Sequence, residues 1–152
     1  LNDLEENTAP SLDNSGDMTL TSITEDQTTN TGNTVAEIIA SAGNRTRELN
    51  DPTAHAEILA LRAASKIIGN YRELKTTLYV TVEPCMMCSG AIIHARVLRV
   101  VFGTRDPKWG AIGSLFNFAD DPRLNHQLQV VEGICKGECK QLMQNFFRKK
   151  RK

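Results

Sequence analysis

The alternation of strand and helix patterns constrains the fold of this chain more than any other feature. Short β-branched or apolar runs predict four strands, at residues 37–41, 77–82, 97–102 and 128–131. Helical patterns predict three helices, at residues 54–68, 84–96 and 137–148. Strands and helices that alternate with short connections favour parallel crossover units, so we expect a three-layer α/β/α sandwich. In such folds the active site lies where strands end and helices begin.

Residues 1–36 differ in composition from the rest of the chain. They are rich in Thr, Ser, Asn and Asp and show no sustained period of 2 or 3.6, which predicts a disordered acidic leader, with a weak strand possible at residues 18–23. The domain is then expected at residues 37–152. Residues 1–44 contain eight acidic residues and no Lys or Arg, whereas residues 45–152 contain eighteen basic and ten acidic residues. The neutral total therefore conceals a body of net charge +8, which is compatible with a nucleic-acid partner.

The cysteines and the hydropathy pattern indicate the compartment. No apolar run approaches the roughly 20 residues of a membrane-spanning helix, and no secretory signal begins the sequence. We therefore expect a soluble cytoplasmic protein whose cysteines are metal ligands or buried thiols rather than disulfides. Cys135 and Cys139 are one helical turn apart, but no His or further Cys is near them in sequence, so no second metal site is predicted there.

Two cysteines open the second predicted helix. Cys85 and Cys88 are three residues apart, which places both thiols on one face of a helix at a spacing that suits one zinc ion. A buried cysteine pair and a thioredoxin-like redox pair are the alternatives. His55 favours the metal site, because it begins the neighbouring helix at the same edge of the sheet. Three protein ligands leave one coordination position open, as catalytic zinc sites do.

Glu57 is the candidate acid–base residue. It follows His55 by two positions, roughly 200° around the helix, so simple spacing argues against its being a fourth ligand. From the first turn of the helix its carboxylate can still reach a water in the open position. A zinc ion held by two thiolates and one imidazole is a weak Lewis acid, so a nearby carboxylate is needed to take the proton from that water.

The pattern His-Ala-Glu followed by Pro-Cys-x-x-Cys resembles the signature of the zinc-dependent nucleobase deaminases. Within that superfamily the sequence is most similar to the bacterial tRNA-specific adenosine deaminases. The resemblance extends over residues 37–151 and rests on six stretches, at residues 43–45, 51–58, 77–92, 101–108, 124–126 and 146–148. It implies a cytidine deaminase-like mixed sheet, hydrolytic conversion of the wobble adenosine of a tRNA anticodon to inosine, and a homodimer.

The resemblance also implies roles for individual residues. His55, Cys85 and Cys88 match the ligands of one Zn²⁺ per subunit, and Glu57 matches the residue that relays protons to the base and to the departing ammonia. Four further residues match positions that contact RNA: Asn44 against the base, Asp106 and Lys108 in a loop against the anticodon stem-loop, and the terminal Arg148. From sequence alone Asn44 is equally well explained as a turn residue after Gly43. Trp109 is either a stacking residue or a partly buried anchor.

The N-terminal region departs from the family pattern. An amphipathic helix and a first strand precede residue 37 in the family, and residues 1–36 contain neither. We therefore expect an interior edge of the sheet to lack its partner strand, and low stability or low activity to follow. Two alternative functions stay open: a guanine or cytidine/cytosine deaminase, and an inactive zinc- or RNA-binding protein of deaminase-like fold.

Overall fold

The computed structural model describes Ser11–Leu12, Met18–Thr19, Ser22–Thr24 and residues 37–150. The seven strands of this part are β1 Ser11–Leu12, β2 Met18–Thr19, β3 Ser22–Thr24, β4 Glu37–Ala40, β5 Thr76–Val82, β6 Arg99–Thr104 and β7 Gln129–Glu132. The helices are α1 Thr46–Leu49, α2 Ala56–Ile68, α3 Met86–Ala95 and α4 Lys136–Lys150, with a short 3-10 helix at Phe118–Asp120. In the described residues no helix is both long and apolar enough to cross a membrane.

Five of these strands form one mixed sheet in the order β4-β3-β5-β6-β7. Strands β5, β6 and β7 are parallel, whereas β3 is antiparallel to both β4 and β5. Two antiparallel pairings in succession make β4 run in the same direction as β5. The carboxyl ends of β4, β5, β6 and β7 therefore meet at one edge of the sheet, and the loops that leave this edge build the site described below. β1 and β2 form a separate antiparallel pair.

The structure corrects one expectation from the sequence. The interior position between β4 and β5, predicted to lack its strand, is occupied by β3, which pairs with β4 on one side and β5 on the other. The weak strand considered possible at residues 18–23 overlaps β2 and the first two residues of β3, but so short a pattern did not predict a place inside the sheet, which the pairing partners on both sides of β3 decide. The remainder of the predicted disordered leader, residues 1–36, lies outside the described residues apart from β1 and β2.

Helices cover both faces of the sheet. In β5 and β6 the residues Leu78, Val80, Val100 and Phe102 face a buried core shared with α2 and α3. Side chains alternate along a strand, so Gly103 faces the opposite side, where a Cβ would lie 2.3 Å from the Sγ of Cys139 in α4. Two helices therefore cover one face and α4 covers the other, which gives the three-layer α/β/α architecture.

Helix α2 shows how the local sequence produces the first crossover. Ile58, Leu61 and Ala64 recur at intervals of three and form its buried stripe. The helix ends at Gly69, whose positive φ of 71° allows its N–H to bond back to the carbonyl of Ser65. The N-terminus of α2 lies beside the start of α3, since His55 and Cys85, the residues that cap the two helices, have side-chain atoms 3.7 Å apart.

Candidate metal centre and active site

Three potential metal ligands converge at the carboxyl edge of the sheet. The Nδ1 atom of His55 lies 3.7 Å from the Sγ atom of Cys85 and 3.5 Å from the Sγ atom of Cys88. A tetrahedral zinc ion with its usual bond lengths to nitrogen and sulfur would separate such atoms by about 3.6 Å. The three residues are the one group of potential ligands found among the described residues. Their geometry and their donor atoms therefore fit a metal ion with one open position.

The local sequence explains why these side chains meet. His55 and Cys85 have extended backbone conformations and are the N-cap residues of α2 and α3. Cys88 lies one turn further along α3 and is fully buried. Both helices point their N-terminal N–H groups at the site, and this partial positive charge favours thiolates. The two helix starts are adjacent because the parallel-running strands β4 and β5 deliver the chain to the same edge.

The protonation states of the three groups are coupled. A hydrogen bond with Cys88 and a further one with His55 lower the pKa of the Cys85 thiol to about 4. Hydrogen bonding to Cys85, and then burial, raise the pKa of Cys88 above its usual value. The hydrogen bond with Cys85 also raises the pKa of His55. The Cys85 thiolate forms readily, whereas its negative charge and burial oppose ionisation of Cys88. A bound cation would allow both thiols to ionise.

Glu57 lies in the same cavity as the ligand group. It is half-buried in the first turn of α2, and burial raises the pKa of its carboxyl group. Its carboxyl group is also within hydrogen-bonding reach of the Cys88 thiol. Burial favours the protonated form of this carboxyl group more than solvent would, so beside an open coordination position Glu57 is placed to take up and return a proton.

A cavity of about 530 Å³ opens above these residues. Its walls are largely apolar and include Leu78, Val80, Met86, Met143 and Trp109, while a few polar side chains reach into it. This combination is typical of small-molecule sites, in which apolar walls hold a ring system and a few polar groups orient it. His55 and Glu57 are among the polar residues that line this cavity.

Asn44 lines this cavity, and its Oδ1 atom also accepts a 3.3 Å hydrogen bond from the backbone N–H of Thr46. Of the two interpretations that the sequence left open, the structure shows the turn residue, and contact between Asn44 and a base stays a prediction. The oxygen of the amide stabilises the turn, which fixes the side chain in place at the cavity wall.

The loop after β6 contributes one wall of the cavity. Asp106 and Trp109 line it, whereas Lys108 is exposed and does not. The Oδ1 atom of Asp106 accepts hydrogen bonds from the backbone N–H groups of Lys108 at 2.9 Å and Trp109 at 3.2 Å. Trp109 is 60% exposed, so its ring is accessible at the rim and is not a buried anchor.

Arg148 lies away from the ligand group, in a neighbouring groove. The groove runs between the loop after β6 and helix α4, and its basic side chains are Arg105, Lys136, Lys140 and Arg148. Asp106 and Met143 line both the groove and the cavity, so the two are continuous. The sequence predictions did not include Lys136 or Lys140. The spacing of these residues could have indicated that they share a surface with Arg148, because positions 136, 140 and 148 fall on one side of α4.

Sequence reasoning also missed Glu83, which is only 3% exposed although it is a glutamate. Its carboxylate accepts backbone hydrogen bonds from the loop that holds Asp106 and Trp109. Its position in the sequence could have indicated that Glu83 is buried. It lies between a strand of β-branched residues and the helix start at Pro84-Cys85, where a solvated glutamate is not expected.

The sequence of this chain is similar to those of known deaminases. A family model described as MafB19-like deaminase matches residues 21–151, a range that includes β3. The chain is 54% identical over 114 residues to a tRNA-specific adenosine deaminase of Haemophilus influenzae, covering 75% of this chain and 66% of that relative. It is 46% identical over 114 residues to a tRNA-specific adenosine deaminase of Agrobacterium fabrum, covering 75% of each. The chain thus spans 66% to 75% of the length of these two curated relatives.

Solved structures show the same architecture. A structure from studies of A-to-I editing by tRNA:A34 deaminases at the wobble position of tRNA superposes with a TM-score of 0.71 and 39% sequence identity, covering 80% of this chain and 81% of that one. A guanine deaminase from Nitrosomonas europaea superposes with a TM-score of 0.58 and 24% identity, covering 69% of this chain and 63% of that one. The second likeness extends to the fold alone.

Proposed function

The chain belongs to the MafB19-like deaminase family, and we propose that it is a hydrolase that converts the wobble adenosine of a tRNA anticodon to inosine. The observation that carries this proposal is the cavity in which Glu57 lies beside the His55, Cys85 and Cys88 group. The identity of 46–54% to adenosine deaminases specific for tRNA supports the choice of substrate. We propose that the catalytic domain consists of residues 37–152 together with β3, which fills an interior position of its sheet.

We propose that one Zn²⁺ per subunit is held by His55, Cys85 and Cys88. The N–S distances of 3.5 and 3.7 Å and the imidazole and thiol donors fit this metal. Zinc in such a site lowers the pKa of water and so supplies a nucleophile at neutral pH. The coupled ionisation of the two thiols also fits, because a divalent cation offsets the second negative charge.

Glu57 moves the protons of the reaction. Its carboxylate takes one proton of the attacking water and delivers it to N1 of the adenine ring; it then carries the proton of the new hydroxyl at C6 to the amino group, so that ammonia leaves and C6 keeps a carbonyl oxygen. Burial raises the pKa of this carboxyl group, so its protonated form is more accessible than that of a solvated glutamate, which suits a group that must both take up and release a proton. Asn44 holds the base from the cavity wall, and the apolar walls exclude bulk water from the reacting edge.

RNA binding is assigned to the surface around the cavity. We propose that Asp106 and Lys108 contact the anticodon backbone and flanking bases, that the exposed ring of Trp109 stacks on a flanking base, and that Arg148 binds phosphate. Residues 45–152 contain eighteen basic and ten acidic residues, which supports a polyanionic substrate. The affinity for RNA should therefore fall as the salt concentration is raised. An affinity that does not change with salt concentration would contradict this assignment.

We also propose a homodimer in the cytoplasm. Three exposed apolar side chains at the end of α2 and in the loop after it, Ile67, Tyr71 and Leu74, are 62–65% exposed in the single chain and would be covered in a dimer. The cytoplasmic location follows from the proposed tRNA substrate. Analytical ultracentrifugation of the full chain tests the dimer, and Tyr71→Ser should shift its mass towards that of one chain.

The central experiment measures product from three substrates. Purified zinc-loaded protein is incubated with an anticodon stem-loop RNA that has adenosine at the wobble position, with guanine, and with cytidine, and inosine and ammonia are quantified. We expect inosine from the RNA alone. Turnover of guanine or cytidine without turnover of RNA would support a free-base or nucleoside deaminase. Zinc and RNA binding without any ammonia would support an inactive protein.

Glu57→Gln is the matched control for this assay. The amide keeps the size of the side chain but cannot relay protons, so kcat should fall by about 10²- to 10⁴-fold. Zinc content, measured by atomic absorption, should stay at the wild-type value because Glu57 is not among the proposed ligands. Wild-type activity in this variant would contradict the proposed mechanism.

A further inference from the structure

The buried carboxylate of Glu83 is the point at which the loop after β6 is attached to the start of α3. Glu83 follows the last residue of β5 and precedes Pro84 and Cys85, and it is 3% exposed. The loop in question, residues 105–116, is named here the rim loop. It contains Asp106 and Trp109, which line the cavity.

Among the residues that the structure describes, all the hydrogen-bond donors found for the Glu83 carboxylate belong to the rim loop. Its Oε1 atom accepts the backbone N–H groups of Ile112 at 3.1 Å and Ser114 at 2.9 Å. Its Oε2 atom accepts the N–H of Asp106 at 3.1 Å and the hydroxyl of Ser114. A carboxylate offers about four acceptor positions, so this group is fully satisfied by one segment of the chain.

The backbone of the rim loop packs closely against the Glu83 carboxylate. A Cβ added to Gly110 would lie 2.4 Å from the Cδ and Oε2 atoms of Glu83, so a larger residue there would displace the carboxylate. The N–H of Ala111 donates to the carbonyl of Pro84 at 2.9 Å, and Gly110 forms a β-bridge with Cys85. The rim loop is thus joined both to Glu83 and to the backbone of a ligand residue.

We propose that Glu83 is a positioning residue for the substrate, acting through the rim loop. By binding backbone groups of three loop residues, it holds Asp106 and Trp109 at a set distance from His55 and Glu57. The carboxylate itself is buried and does not contact the RNA. This inference rests on the proposed RNA deamination for its kinetic consequence, but the effect on the loop is independent of any activity.

Glu83→Gln tests the proposal with little change in volume. The amide oxygen can still accept at one position, but the amide nitrogen would face the N–H of Asp106, so that anchor is lost. We expect kcat/KM for the stem-loop RNA to fall by about 10- to 100-fold, mainly through KM, with zinc content unchanged. Trp109 is the only tryptophan of the chain, and its fluorescence anisotropy should fall as the rim loop gains freedom.

Two further variants make the result decisive. Ser114→Ala removes the hydroxyl bond to Glu83 and keeps the backbone bonds. It should therefore change KM and Trp109 anisotropy in the same direction as Glu83→Gln but to a smaller extent, and it replaces Glu83→Gln as the test if that variant does not fold. Glu73→Gln changes another buried glutamate that does not contact the rim loop, and it should leave both readouts at wild-type values.

Three outcomes would overturn the proposal: a folded Glu83→Gln protein with wild-type anisotropy, one with wild-type KM, or an equal effect in Glu73→Gln. If wild-type protein deaminates no RNA, the proposed function fails, while the anisotropy of the three variants still decides whether Glu83 orders the rim loop.

Discussion

Strand β5 has a buried glutamate near each end, and the two are held in different ways. Glu83, at the carboxyl end, accepts four hydrogen bonds from the rim loop. Glu73, just before the amino end, is 1% exposed, and the Ser65 hydroxyl at 2.9 Å is the donor identified for its carboxyl group. Burial raises the pKa of Glu73 to about 7. The comparison shows that burial alone does not define a glutamate's role: four hydrogen bonds join Glu83 to one loop, whereas Glu73 has one identified donor and no link to that loop.

The largest effect is expected at the carboxyl end of β5, where the proposed metal ligands lie. Cys88 and Cys139 are both buried, but only Cys88 belongs to the ligand group. Cys88→Ser should reduce bound zinc from about one ion per chain to a small fraction of that and abolish deamination. Cys139→Ser, on the face covered by α4, should keep its zinc and activity. Equal zinc loss in the two variants, measured by atomic absorption, would contradict the assigned site.

The next effect concerns the amino end and its dependence on pH. Because the folded pKa of Glu73 is raised, the folded chain holds a proton that the unfolded chain releases above about pH 4.5. Stability from this group is present at low pH and is lost as the pH rises through about 7, by at most about 3 kcal/mol.

Glu73→Gln resembles the protonated acid and removes this titration. In urea unfolding with zinc and reductant, the excess of the variant over wild type in free energy of unfolding should be small near pH 5 and should grow to its full value near pH 8. A constant difference between wild type and variant across this range would show that Glu73 does not titrate in the folded protein.

A glycine substitution tests how closely the rim loop approaches the carboxyl end. Gly110→Ala places a methyl group against the Glu83 carboxylate and should lower the free energy of unfolding by about 1–3 kcal/mol. Gly90→Ala is the matched control, since no atom lies within 4 Å of a Cβ at this position in α3. The control should be neutral or more stable in the same urea titration, because alanine is the better helix former. Equal destabilisation of both would argue against the tight contact.

The smallest effect concerns a polar group inside β5 itself. Thr77 Oγ1 is buried, and it is the one such side-chain atom in the described part of the chain for which no hydrogen-bond partner is found. Thr77→Val keeps the β-branched shape and removes the hydroxyl, so the free energy of unfolding should rise by about 1 kcal/mol. A loss of stability would mean that the hydroxyl has a partner in solution.

The parts of the fold that could be predicted are those with local patterns. Helix α2 was predicted at residues 54–68 and is observed at Ala56–Ile68, because its apolar spacing and Gly69 are both local signals. Only a weak strand at residues 18–23 was considered possible, and the place of β3 inside the sheet could not be predicted, because its pairing with β4 and β5 is decided by distant parts of the chain. The position of Arg148 in a groove beside the cavity likewise depends on where α4 packs.

By itself, the sequence determined the chemistry of the site: the identities and spacing of His55, Glu57, Cys85 and Cys88 restrict the possible reactions, because ligand and acid–base properties belong to the side chains. Tertiary structure alone decided what surrounds that chemistry. The burial of Glu83, the placement of Trp109 at the rim and the pairing of β3 arise from contacts between segments far apart in sequence. Such contacts are selected by packing and by the pairing of buried polar groups, and neither leaves a local pattern in the sequence.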